Sequence, residues 1–149
     1  MSLILSNSTQ VSFLYRSVPA VASDVLSIAY QLLRQNLDPS EKCHYSFITN
    51  KNRIIAIGAN QMYKTSPLAK RYGYRYAAYH SELSCWQNCP RDIDFRKCRL
   101  FNVRLSRSSI RLNKPILRNS KPCEHCWAWL EPLSLREIWY TTDEGWNRL

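Results

Sequence analysis

His44-Tyr45-Ser46-Phe47-Ile48-Thr49, then Asn50-Lys51-Asn52, then Arg53-Ile54-Ile55-Ala56-Ile57-Gly58 is the stretch that decides the fold. The two outer runs are rich in β-branched and aromatic residues, and the three between them favour a turn, so the stretch reads as a hairpin. Before it, Val25, Leu26, Ile28, Ala29, Leu32 and Leu33 recur at the three-and-four spacing of one buried helix face. Ser23 is the expected N-cap, and Leu37-Asp38-Pro39 the expected stop. The first twenty residues are expected to form an arm or an edge strand.

After Gly58-Ala59-Asn60 the chain enters a long loop, Gln61 to Tyr79, in which Lys64, Lys70, Arg71 and Arg75 mix with Tyr72, Tyr74, Tyr76 and Tyr79. Loops of this length inside a domain are usually functional or disordered. Cations among aromatics suit phosphate contact plus base stacking, while tyrosines that simply fill the core are the plainer alternative. A short helix follows from His80 to about Asn88, broken by Cys89-Pro90. Arg99 to Leu105 alternates Phe101, Val103 and Leu105 and reads as a strand. A hairpin is expected around Arg111 to Leu117, a second short helix from Cys123 to Leu130 stopped by Pro132, and a last strand from Arg136 to Thr141. The class is therefore α/β.

Composition narrows the setting. At 149 residues and 45% apolar content, one domain with a real core is expected. No apolar run reaches the eighteen residues of a membrane span, and the N-terminus lacks the pattern of a secretory signal. Six cysteines without an export signal read as reduced thiols in a cytoplasmic protein. The formal charge is +10, and residues 91 to 121 hold ten Lys or Arg against Asp92 and Asp94. Such a block favours an anionic partner, a nucleotide or a nucleic acid, with a merely solvated face as the alternative.

Two short motifs carry the chemistry. His80-Ser81-Glu82 precedes Pro122-Cys123-Glu124-His125-Cys126 by forty residues. Each alone is unremarkable, but the pair in this order is expected by chance on the order of once in a thousand shuffled chains. One imidazole and two thiolates make a three-ligand set that leaves a fourth position open, as catalytic zinc sites do. Cys123 and Cys126 fall on one side of a first helical turn, where the helix dipole favours thiolate.

Together the motifs read H-x-E…P-C-x-x-C, and the chain resembles the cytidine and deoxycytidylate deaminase superfamily over roughly residues 22 to 141. The resemblance implies a three-layer αβα fold with a central mixed sheet of about five strands. It implies Zn2+ held by His80, Cys123 and Cys126, with Glu82 as the proton shuttle. It also implies hydrolytic deamination, in which an activated water attacks the ring carbon bearing the amine and ammonia leaves. Asn60 matches a substrate contact of many relatives, and Ser81 and Tyr79, flanking His80, are further candidate contacts. Ser81 departs from the small apolar residue usual between the histidine and the glutamate, and His125 is expected to bind no metal. Self-association is expected by resemblance only.

The substrate stays open among a cytosine-containing nucleotide such as deoxycytidylate, cytosine in single-stranded DNA or RNA, and adenosine in transfer RNA. Two other classes also remain. One is a closed, non-catalytic zinc site drawing a fourth ligand from Cys85 or Cys89, in a nucleic-acid-binding protein. The other is a redox pair of Cys123 and Cys126, which leaves the H-x-E unexplained.

Overall fold

A computed structural model describes residues 18–35, 43–65, 70–72 and 78–149. Helix α1 (Val21–Gln35) buries Val21, Ala22, Val25, Ala29 and Leu33, the stripe expected of a helix with one face on a core. It begins two residues before Ser23, whose hydroxyl donates to the Ala20 carbonyl and so is not the N-cap. The expected stop at residues 37–39 lies outside the described residues, as do residues 1–17 of the expected arm.

The hairpin forms as read, from β1 (His44–Asn50) and β2 (Arg53–Ala59). Lys51 turns the corner with a left-handed φ of 56°. A register shift at Ile48/Thr49 marks a β-bulge. The long loop is bounded by a small two-stranded sheet, β3 (Gln61–Thr65) against β4 (Ala78–Tyr79).

Helix α2 (Ser81–Gln87), a 3-10 turn (Phe95–Lys97) and β5 (Cys98–Leu105) come next. The hairpin expected at 111–117 is corrected to a helical turn, α3 (Ser108–Arg111), leading into β6 (Leu117–Arg118), which returns antiparallel to β5. Helix α4 (Glu124–Leu133) runs past Pro132 and ends at Ser134, whose φ of 55° is left-handed. Proline is tolerated there because, at the last turn, it removes only one ladder bond. Strand β7 (Glu137–Thr142) is followed by β8 (Gly145–Arg148), a strand where only a tail was expected.

The main sheet has six strands in the order β2-β1-β5-β7-β8, with β6 also on β5. Among the described pairs β5 and β7 run parallel, which demands a crossover, and α4 lies in it. Side chains alternate across the sheet. Tyr45, Phe47, Phe101, Val103, Leu105 and Trp139 meet α1 on one face. Ile48, Leu100 and Ile138 on the other meet Leu83 of α2 and Trp129 and Leu130 of α4. The result is three layers, with helices on both faces of a mixed sheet.

Candidate metal centre

Both motifs sit where a helix begins. His80 is the N-cap of α2, with extended backbone, and its imidazole makes no cap hydrogen bond to that helix. Cys123 is the N-cap of α4, its sulfur accepting from the Cys126 amide. Both helices lie on the same sheet face, and their starts meet.

The meeting is close. His80 Nδ1 stands 3.5 Å from Cys123 Sγ and 3.7 Å from Cys126 Sγ, and all three donor atoms lie within 4.8 Å of one another. For tetrahedral bonds of zinc length, neighbouring sulfur and nitrogen donors stand about 3.6 Å apart. The donor set therefore fits a four-coordinate metal with three protein ligands.

Electrostatics separate these cysteines from the others. The Cys123 thiol is held down to about 3 by the hydrogen bond from the Cys126 thiol, against the effect of burial, with His80 and the Cys126 amide helping. Burial pushes Cys85 well up, and the neighbouring Cys89 adds to it. Cys89 is raised to about 11 by burial and by Cys98. Cys85 donates to the Ala56 carbonyl and Cys89 to the Cys85 carbonyl. Among the described residues neither joins the metal group, nor does His125.

Three features fix α2, two against β2 and one against α4. Gly58 of β2 is pressed against α2: a Cβ there would lie 2.2 Å from the Cys85 nitrogen and 2.5 Å from the Ser81 carbonyl oxygen. Asn88 at the helix end donates to the Ile57 carbonyl at 2.8 Å. Trp86 stacks on Trp129, tying α2 to α4.

Compared with protein-family models and with curated proteins, the chain matches none.

Glu82 lies in the first turn of α2 and is only 6% exposed. Its Oε1 accepts from the Ser81 hydroxyl at 3.0 Å. Asn60, just after β2, places a buried Oδ1 that has no hydrogen-bond partner among the described residues. Its own amide donates to the His44 carbonyl at 3.3 Å. An unmet buried acceptor costs about 1–3 kcal/mol, which a ligand hydroxyl can relieve. The other such atom, Thr49 Oγ1, sits at the bulge, where the β1–β2 ladder is broken. Tyr79 belongs to β4, and its side chain lies outside the described residues. Of the loop aromatics, Tyr72 packs on the core beside Trp86, ring centroids 6.5 Å apart. Tyr74, Arg75 and Tyr76 lie outside the described residues.

Sequence reading missed a row of basic side chains. His44, Arg104 and Arg118 face one another across β1, β5 and β6. Their neighbours Tyr45, Leu105 and Leu117 turn toward α1, so the row lies on the face that carries the metal group. Arg104 and Arg118 are exposed, and like charges directly opposite in a ladder repel. Arg99, by contrast, is neutralised by Glu137, which Arg148 also reaches at 3.0 Å. The missed signal was the antiparallel pairing itself, which no spacing in the sequence gives.

Proposed function

We propose that this chain is a zinc-dependent hydrolytic deaminase that converts a cytosine-containing nucleotide to its uracil product and releases ammonia. The observation that carries the reading is the convergence of His80, Cys123 and Cys126 at the start of the helix that buries Glu82. The resemblance of the two motifs to the nucleobase deaminases agrees with it. A closed four-ligand zinc site gains no support, because Cys85 and Cys89 are engaged elsewhere.

His80, Cys123 and Cys126 would hold zinc, which when bound would supply an acidified water, with a pKa of about 7, as nucleophile. Glu82 then does the proton work. It takes a proton as the water oxygen bonds to the amine-bearing ring carbon, and hands one to the ring nitrogen. It then takes the remaining proton of the added hydroxyl and passes it to the amine, so that the carbonyl forms, the carbon–nitrogen bond breaks and ammonia leaves. A carboxylate suits this work because it can hold a proton briefly between donor and acceptor. Asn60 Oδ1 is the acceptor for a sugar hydroxyl. The His44–Arg104–Arg118 row takes a phosphate, one strand step of about 7 Å from the row that contains Ser46 and Asn102. Six free cysteines accord with a reducing, cytoplasmic setting.

A second reading is favoured by the exposed Arg111, Lys114 and Lys121, which extend cationic surface beyond one phosphate. It makes the substrate cytosine or adenosine in single-stranded nucleic acid. Ammonia release from deoxycytidylate, cytidine, cytosine oligonucleotides and transfer RNA, each across a salt series, tests both. Release from deoxycytidylate with a shallow salt response supports the nucleotide. Release from a polynucleotide that falls steeply with salt supports the second reading. Zinc-loaded protein silent on the whole panel contradicts both.

A further inference from the structure

Beneath the site five buried residues form a polar bridge through an otherwise apolar layer. In order they are Glu82, Ser81, Ser46, Asn102 and Ser120, each no more than 6% exposed. Ser81 Oγ lies 3.0 Å from Glu82 Oε1 and 2.7 Å from Ser46 Oγ. Ser46 donates to Asn102 Oδ1 at 2.7 Å, and Asn102 Nδ2 donates to the Ser120 carbonyl at 3.2 Å. Polar groups in such a layer are costly unless paired, and networks of them are rigid when satisfied.

The bridge has a direction. The Ser120 carbonyl accepts from Asn102 Nδ2, so the amide is oriented with its oxygen toward Ser46. The single proton of Ser46 is spent on that oxygen. Ser81 has one proton and two acceptors within reach, Ser46 Oγ behind it and Glu82 Oε1 ahead, so it serves one at a time. The far end is anchored. Ser120 Oγ reaches the Asn102 carbonyl at 2.8 Å and accepts from the Thr141 amide at 2.8 Å. Ser120 stands three residues before Cys123, so the bridge joins the carboxylate to the segment that delivers the cysteines.

We propose that this bridge is a positioning device for Glu82. Asn102 fixes Ser46, Ser46 Oγ stands 2.7 Å from Ser81 Oγ, and the one Ser81 proton, divided between Ser46 and Glu82, makes the carboxylate's seat beside His80 depend on both serines. Ser81, Ser46 and Asn102 are positioning residues, and their effect on turnover rests on the deaminase reading. A carboxylate misplaced by a fraction of an ångström loses its alignment with the reacting atoms, and rate is sensitive to such errors. The serine between the histidine and the glutamate thus has a task that a small apolar residue there lacks.

Two readouts on the zinc-loaded full chain test the bridge. The first is the Asn102 side-chain amide in a proton–nitrogen NMR spectrum. Glu82→Gln is expected to shift it in the natural background, and to leave it unmoved once Ser81→Ala has cut the bridge. No shift, or the same shift in both backgrounds, overturns the proposal. The second is kinetic. Ser81→Ala and Ser46→Ala are each expected to lower kcat about tenfold, the loss of one buried hydrogen bond, with KM and zinc content unchanged. The double variant is expected to be no worse than Ser81→Ala, and Ser81→Thr to recover most of the rate. Additive losses, or a change in KM alone, overturn it. If the natural protein releases no ammonia from any substrate, the deaminase reading fails by itself, and the amide readout still decides the bridge.

Discussion

Trp86 lies flat on Trp129, ring centroids 4.6 Å apart and planes within 9° of parallel. The stack joins the helix that follows His80 to the helix that follows Cys123. Trp86→Ala removes one side of it. Unfolding in urea is expected to show a loss of about 2–4 kcal/mol, less than a fully buried tryptophan because Trp86 is partly exposed. Zinc affinity measured by chelator competition is expected to fall with it. Unchanged zinc affinity in a destabilised variant would separate the stack from the site.

Gly58 is the second constraint. Its missing side chain lets the α2 backbone approach to a distance that any Cβ closes, 2.2 Å to the Cys85 nitrogen. Because the obstruction is backbone, Gly58→Ala cannot be absorbed by a side-chain rotation. A destabilisation of about 1–3 kcal/mol is expected from overpacking, together with weaker metal binding as α2 is pushed away. Thermal unfolding with and without zinc checks both.

The cysteines divide by chemistry. Cys123 is held down to about 3 from an ordinary value of 9.0, and Cys89 is raised to about 11. A group with a depressed value keeps its charged form as pH falls, until pH approaches that value. In the metal-free protein Cys123 is therefore expected to alkylate at a rate nearly independent of pH from 6 to 9. Cys89 is expected to react slowly throughout and faster only as pH climbs toward 11. Mass spectrometry after timed iodoacetamide treatment gives both rates. Cys123→Ala is expected to abolish metal binding, and Cys85→Ala to keep it while losing some stability.

Arg104 and Arg118 face each other across β5 and β6 with no carboxylate opposite either among the described residues. Arg104→Ala is expected to raise KM about tenfold for a phosphate-bearing substrate, the loss of one charge-assisted contact. The unphosphorylated nucleoside is expected to be unaffected. An equal rise for both substrates would take the phosphate away from this row.

The hairpin and the apolar stripe of α1 were legible because each has a period that sequence carries directly. So were the helix starts at His80 and Cys123. Their approach to one another was only implied by the motif pair, since nothing local brings residue 80 to residue 126. Ser46 and Asn102 were not legible as partners. Each is a polar residue between large apolar ones, Tyr45 and Phe47 or Phe101 and Val103, and sequence marks that as an outward position. Both point inward because a second helix layer covers the face they occupy. Strand β8 and the turn α3 were missed for a different reason: β8 is short and decided by pairing to β7, and α3 is a single four-residue turn, too short to carry a period. Pro132 was read as a stop, but it falls where the helix has few bonds left to lose.

The proposed reaction turns on Glu82 moving protons beside a metal held by His80, Cys123 and Cys126. Its most direct measurement is ammonia release by zinc-loaded protein carrying Glu82→Gln, beside the natural chain, on the best substrate of the nucleotide and polynucleotide panel. The predicted result is one equivalent of zinc retained, an unchanged fold, and a rate lower by about a thousandfold, within the range for losing a general acid–base. A variant that keeps both its zinc and its full rate would contradict the claim.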